Sequence, residues 1–482
     1  MPYAAPPAGE LRWCPAQPHP GSTGTRDAAA DGPSAPQMYA DGGDPVLGGH
    51  GSPPFDEDCL TLNVWTPAAD DARRPVLVWI HGGGFVSGSG SLPGYSGETF
   101  ARDGDLAVVS INYRIGPLGY LNPDDADESS NLWLGDQIAA LHWVYTHIAA
   151  FGGDPDRITV AGQSGGALST AALAGHPLAR GLIRRVILQS PPLGLDLPDP
   201  AAAYLEPAGA ESVAELRARS WPELIGAAAG LFARTATWGY WPTPFLPVVD
   251  GTSLSVHPAL ALALLDAAAA DIDVMIGWTR EEANFGLALD EGYAAATRAQ
   301  VADRIADTFG AEAAPDLYAE YARARPGARP VDVLMDLITD ERFRVPAIRL
   351  AEARAASGHP VWACQFDLPT PACEGRLGAA HCLELPFVFD NFDQWAGAPF
   401  LAGLDPAVRD GLAYAMHRAW IAFVRTGDPN HPDLPRWQPY GTRARTTMRF
   451  DAVVTALDDL AGASRLLHGT ARTSAPAPDP VV

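Results

Sequence analysis

The run Ile158-Thr159-Val160-Ala161-Gly162-Gln163-Ser164-Gly165-Gly166-Ala167-Leu168-Ser169-Thr170-Ala171-Ala172-Leu173 changes character at its middle. Its first residues are apolar or β-branched, as a buried strand requires, and its last favour a helix. Between them, Gly-x-Ser-x-Gly marks a strand that turns sharply into a helix. Ser164 sits at the apex in strained backbone angles, and small residues two positions either side let the two chains approach. The turn pushes the serine hydroxyl into a cleft. The helix that follows aims free N–H groups and the positive end of its dipole at any charge developing on a substrate oxygen nearby. The same pentapeptide arises by chance in a chain with 48 glycines, so the surrounding sequence has to decide between a catalytic serine and an ordinary turn.

Around this turn, strand-like apolar runs alternate with helical ones. Upstream lie Cys59–Trp65, Pro75–Ile80 and Leu106–Tyr113, whose near-continuous hydrophobicity reads as buried central strands. Leu134 to Phe151 carries apolar residues at helical spacing and stops at Gly152-Gly153. Downstream come Val186–Ser190, Ile272–Gly277 and Pro360–Phe366. The alternation predicts an α/β fold with a mostly parallel sheet. Residues 191–258 loosen into Pro, Ala and aromatic-rich sequence and 291–354 look wholly helical, so these two insertions are expected to cap the site.

With 482 residues, 47% of them hydrophobic and 19% charged, the chain has material for one large core, expected over 1–470. The Pro/Ala-rich end, 471–482, is expected to be disordered. Formal charge is −24, from 33 basic against 57 acidic residues, and no basic cluster could neutralise a run of phosphates, which argues against nucleic acid as a partner. Every basic side chain is arginine. The absence of lysine excludes a Schiff base, a Walker-type phosphate loop and a Ser-x-x-Lys esterase. Cys14, Cys59, Cys364, Cys373 and Cys382 are odd in number and lack tight metal-binding spacing, so neither a disulfide scaffold nor a zinc site is expected. The N-terminus lacks the pattern of a signal peptide and no apolar run is long enough to span a bilayer. The expectation is a soluble cytoplasmic protein, monomer or homodimer, with no membrane partner.

A serine hydroxyl is protonated at neutral pH, so Ser164 needs a histidine base and a carboxylate to fix that base's tautomer. His381 lies on a loop shortly after the Pro360–Phe366 strand, a suitable place for the base. After the Ile272–Gly277 strand, Glu281 and Glu282 offer adjacent carboxylates, one expected to face the histidine and the other solvent. His81-Gly82-Gly83-Gly84-Phe85 follows the Pro75–Ile80 strand. Consecutive glycines there allow backbone N–H groups to converge on one point, as an oxyanion loop requires. Trp238, Tyr240, Trp241 and Phe245 are candidates to line a substrate pocket.

Taken in order, Glu57–Val64, the His81 loop, Asn112-Tyr113-Arg114, Asn131–Gln137, Phe151–Pro155, the Ser164 turn and His381–Phe387 resemble the type B carboxylesterases. That group contains bacterial para-nitrobenzyl esterases and animal cholinesterases, and the resemblance runs from Met1 to about Tyr440. It implies an α/β-hydrolase fold, a central mostly parallel sheet flanked by helices with large helical cap insertions. It also implies ester hydrolysis without metal or cofactor. Carried over residue by residue, it makes Ser164 the nucleophile, Glu282 rather than Glu281 the acid and His381 the base. The N–H groups of Gly83, Gly84 and Gly165 become the oxyanion donors.

Three departures stand out. The family's turn usually reads Gly-Glu-Ser-Ala-Gly, so Gln163 removes a carboxylate beside the histidine, which disfavours cationic esters and favours neutral ones. Cys59 occupies the family's disulfide position, but its partner site is Ala35, so that bridge is expected to be absent. Relatives carry Pro2-Tyr3-Ala4-Ala5-Pro6-Pro7 only after a short pair of strands, so the start as written is expected to be truncated or misassigned. The expected partner is a small neutral ester. The alternatives are a carbamate, amide or lactone on the same residues, or a non-catalytic binding domain of cholinesterase-like type.

Overall fold

The structure is a computed structural model. It describes residues 1–482 apart from 22, 26, 39–45, 48–53, 122–130, 196–200, 242, 264–271 and 473–482. Its centre is one sheet of β1 (Leu62–Trp65), β2 (Arg74–Ile80), β3 (Ala107–Ile111), β4 (Gly153–Gln163), β5 (Arg185–Gln189), β6 (Asp273–Thr279), β7 (Val361–Phe366), β8 (Thr447–Phe450) and β9 (Thr455–Leu457). The spatial order is β1-β3-β2-β4-β5-β6-β7-β8-β9. Every pair from β3 through β8 is parallel, while β1 on β3 and β9 on β8 are antiparallel edges. This is the α/β-hydrolase arrangement.

Parallel neighbours need long crossovers, and the crossovers here are largely helical, covering both faces of the sheet. The principal helices are α1 (Leu132–His147), α2 (Gly165–Gly175), α3 (Arg298–Phe309), α4 (Ala314–Ala324), α5 (Pro330–Thr339), α6 (Val345–Ala356), α7 (Pro406–Thr426) and α8 (Gly462–Arg472). The two-residue period of β2 divides the core. Val76, Val78 and Ile80 join α1 and α2 on one side, while Leu77 and Trp79 join α7 on the other. A third apolar cluster belongs to α3, α4 and α5. Within 191–258 the described helices are Ala201–Ala208, Val213–Leu216 and Trp221–Thr235. No described helix is long and apolar enough to cross a membrane.

One strand reading of the sequence is corrected. The Cys59–Trp65 run is not a central strand: only Leu62–Trp65 is strand, at the sheet edge, with Asn63, Val64 and Trp65 half-buried. The C-terminal tail expected to be disordered from residue 471 begins inside α8, which runs through Arg472. The rest of that tail lies outside the described residues. None of the five cysteines is in a disulfide, and Cys59 is fully buried.

The motif residues after β3 tie the sheet to its helices. Arg114 donates from Nη2 and Nε to Asp136 on α1 at 2.6 and 2.8 Å, a pair buried on both sides. The Asn112 carboxamide oxygen accepts from Ser89 Oγ at 2.9 Å and from the Gly90 N–H at 2.8 Å, fixing the end of the glycine loop that began at His81.

Candidate active site

β4 delivers Ser164 to the C-terminal edge of the sheet, and its apolar, β-branched residues are buried there. Ser164 adopts φ 55° and ψ −125°, the strained apex expected of the turn. Glycines make the geometry possible. A Cβ on Gly166 would strike the Ile80 carbonyl oxygen, and one on Gly162 the carbonyl oxygen of Gly166. Strand and helix therefore touch backbone to backbone, and α2 starts at Gly165 with its N-terminus beside the serine.

The loop after β2 converges on the same place. His81 is buried, its ring stacked on Tyr113 at 4.5 Å, and burial pushes its imidazole down to about 4, so it stays neutral. The Tyr113 hydroxyl donates to the His81 carbonyl oxygen at 2.8 Å. Gly83 and Gly84 take φ of 123° and 59°, which turn their amides away from the strand ladder. Among the described residues the N–H groups of Gly83, Gly84 and Gly165 donate to no protein acceptor. Three donors beside the strained serine are thus left without a protein acceptor.

His381 and Glu282 come from loops following β7 and β6. The His381 Nδ1 and Glu282 Oε2 are 2.5 Å apart, and the other carboxylate oxygen accepts the Thr279 N–H at 2.6 Å. Glu282 is fully buried. Burial alone would lower the imidazole, but the adjoining Cys382 sulfur and the Glu282 carboxylate more than reverse this, holding His381 well above the ordinary histidine range. The second carboxylate does not face solvent as expected. Glu281 is buried, accepts the Ala379 N–H at 2.8 Å and pairs with Arg325 at 3.2 Å and Arg280 at 3.3 Å. Its task is to hold the loop two residues before His381.

The other ring nitrogen, Nε2, lies 3.1 Å from the Gln163 amide nitrogen, which donates to it whenever the imidazole is neutral, and the same amide donates to Cys382 Sγ at 3.3 Å. The Ser164 hydroxyl makes no hydrogen bond among the described residues. A cavity of about 240 Å³ opens over Ser164, walled by the glycine loop, Phe85, Trp241, Phe285, Phe343 and His381. Of the four aromatic candidates, Trp241 alone is in this wall. Trp238 stacks on Tyr293 at 5.7 Å, Tyr240 lies under the Arg304 guanidinium, and Phe245 is buried against Tyr204. Phe343, 5.1 Å from the His381 ring, and Phe285, at 5.9 Å, were not anticipated. Phe343 sits in a π-helical turn, Asp340–Arg344, between α5 and α6, an irregularity that periodicity in the sequence does not reveal.

The sequence model of the carboxylesterase family matches residues 1–464. The chain is 50% identical to phenmedipham hydrolase of Pseudarthrobacter oxydans over 91% of its own length and 88% of the relative's. It is 34% identical to the para-nitrobenzyl esterase of Bacillus subtilis over 95% and 92%. A crystal structure of the Geobacillus stearothermophilus carboxylesterase EST55 superposes with a TM-score of 0.84 at 37% identity, covering 97% of this chain and 95% of that one.

Proposed function

The chain belongs to the carboxylesterase family and is a carboxylic ester hydrolase, and from that premise we propose that it cleaves neutral esters through an acyl-enzyme on Ser164, with His381 as base and Glu282 as its orienting carboxylate. The observation carrying this reading is the convergence of the His381–Glu282 contact at 2.5 Å with three unmet N–H groups around the strained serine. With Nδ1–H held by Glu282, the Nε2 lone pair is the basic one. It takes the Ser164 proton once the Gln163 amide yields its place. The serine oxygen attacks the ester carbonyl, and the resulting oxyanion rests between the N–H groups of Gly83, Gly84 and Gly165. His381 returns the proton to the departing alcohol. Water repeats the sequence on the acyl-enzyme and releases the acid. Each oxyanion donor is worth about 10²–10³ in kcat, enough for the good leaving group of an ester.

The aromatic wall of Trp241, Phe285 and Phe343, with Gln163 in place of an acid, favours an uncharged acyl or aryl group. The test is hydrolysis of para-nitrophenyl acetate and butyrate by the protein and by Ser164→Ala, with fluorophosphonate labelling alongside. The substitution is expected to lower kcat by more than about 10⁴-fold and abolish labelling. Turnover retained by folded Ser164→Ala would sink the mechanism. A second reading, that phenmedipham is itself a substrate, is supported by the 50% identical relative of that name. It is decided by comparing kcat/KM for phenmedipham with that for the two esters.

A further inference from the structure

A second cavity, about 330 Å³, shares no wall residue with the one over Ser164. In a chain of net charge −24, four arginines meet on its wall: Arg280, Arg325, Arg344 and Arg449. The carboxylates nearby are already engaged. Asp336 pairs with Arg325 at 3.1 Å, Asp340 with Arg344 at 2.7 Å and Glu281 with Arg280 and Arg325, while Asp367 accepts the Gln365 amide at 2.6 Å. Arg449, on β8, has no hydrogen bond or ion pair from its side chain among the described residues, and its Nε is buried. Arg344 is 8% exposed, and its Nε is likewise buried and unmet. Arg449 thus brings to the cavity wall a guanidinium that no carboxylate meets, beside three arginines already bonded, and an oxygen-bearing anion is the ligand whose acceptors fit that fork.

We propose that this cavity binds a small oxyanion, a carboxylate or phosphate group, held by Arg449 and Arg344, and that occupancy is relayed to His381 through Glu281. The relay is short. Arg280 and Arg325 grip the Glu281 carboxylate, Arg344 donates to the Arg280 carbonyl oxygen, and Glu281 exchanges hydrogen bonds with Ala379 in both directions, at 2.8 and 3.1 Å. An anion that draws on Arg344 competes with the Arg280 carbonyl oxygen for its guanidinium, and through Arg280 and Glu281 slackens the loop that presents His381, so kcat falls while KM stays.

Phosphate and acetate are titrated separately against the full chain, with sodium chloride balancing ionic strength. Tm and the hydrolysis of para-nitrophenyl acetate are followed in wild type and Arg449→Gln. At least one anion is expected to raise Tm saturably beyond the chloride control, and the lower half-saturation identifies the group preferred. In Arg449→Gln the half-saturation concentration is expected to rise at least fivefold. No rise beyond chloride, or the same titration in both proteins, overturns the site. Should Arg449→Gln not fold, Arg449→Lys keeps the charge and loses the planar fork. Its half-saturation is expected to rise at least threefold, and an unchanged value overturns the site equally. The kinetic arm rests on the reading of Ser164, His381 and Glu282, whereas the Tm arm does not. A Tm shift with kcat unchanged overturns the relay alone.

Discussion

Gln163 Nε2 lies 3.1 Å from His381 Nε2 and 3.3 Å from Cys382 Sγ, immediately beside the strained serine. An amide N–H aimed at the Nε2 lone pair stabilises neutral imidazole and opposes the imidazolium formed during attack. A carboxylate in that position does the opposite, because it accepts from Nε2–H and adds a negative charge. At His381 burial lowers the imidazole, and Cys382 and Glu282 together outweigh it. Gln163→Glu therefore moves His381 further up, so that the free base appears only at higher pH. The acidic limb of the kcat/KM profile for para-nitrophenyl butyrate is expected to shift upward by about one pH unit. A limb that stays in place, or moves to lower pH, contradicts this account of the resting site.

The junction of β4 with α2 works because two backbones touch where side chains would collide. A Cβ on Gly166 would strike the Ile80 carbonyl oxygen of β2, a rigid neighbour, so Gly166→Ala is expected to cost more than about 2 kcal/mol in a urea melt. Gly411, exposed within α7 and with nothing within 4 Å of its would-be Cβ, marks the contrast. Gly411→Ala is expected to stabilise the protein by about 0.5–1 kcal/mol, and equal effects at the two glycines would refute the close-approach argument. The same contrast explains what could be read in advance. β2 through β7, the Ser164 turn and the His81 loop are written locally, as apolar runs ending in glycines at fixed offsets. β8 was missed because Thr447-Met448-Arg449-Phe450 is short and carries a charge, and it becomes a strand through its ladder with β7. Cavity walls are still less local. Trp238, Tyr240 and Phe245 were plausible by composition, but the inserted helices spend them on their own packing. Phe285 and Phe343 reach the His381 ring only through tertiary folding.

Over the whole molecule, 57 acidic against 33 basic side chains leave a charge of −24, and this field reaches any substrate before the cavity does. Apart from the catalytic candidate His381, the wall over Ser164 is built of uncharged residues, with Arg342 as its one arginine among the described residues. Two effects of opposite sign therefore act on an ester that carries a carboxylate. The long-range field repels it, whereas Arg342 attracts it at close quarters. Salt separates them, because the Debye length falls from about 30 Å at 0.01 M to about 8 Å at 0.15 M and screens the distant charges far more than the partly enclosed one. If the net charge governs entry, kcat/KM for the mono-para-nitrophenyl ester of succinate rises with sodium chloride over that range, on the order of two- to fivefold. The neutral butyrate ester stays flat, which excludes a general salt effect on the enzyme. A fall for the succinate ester would mean that Arg342 outweighs the whole surface, and the preference for neutral esters would then have to be abandoned in favour of anionic ones.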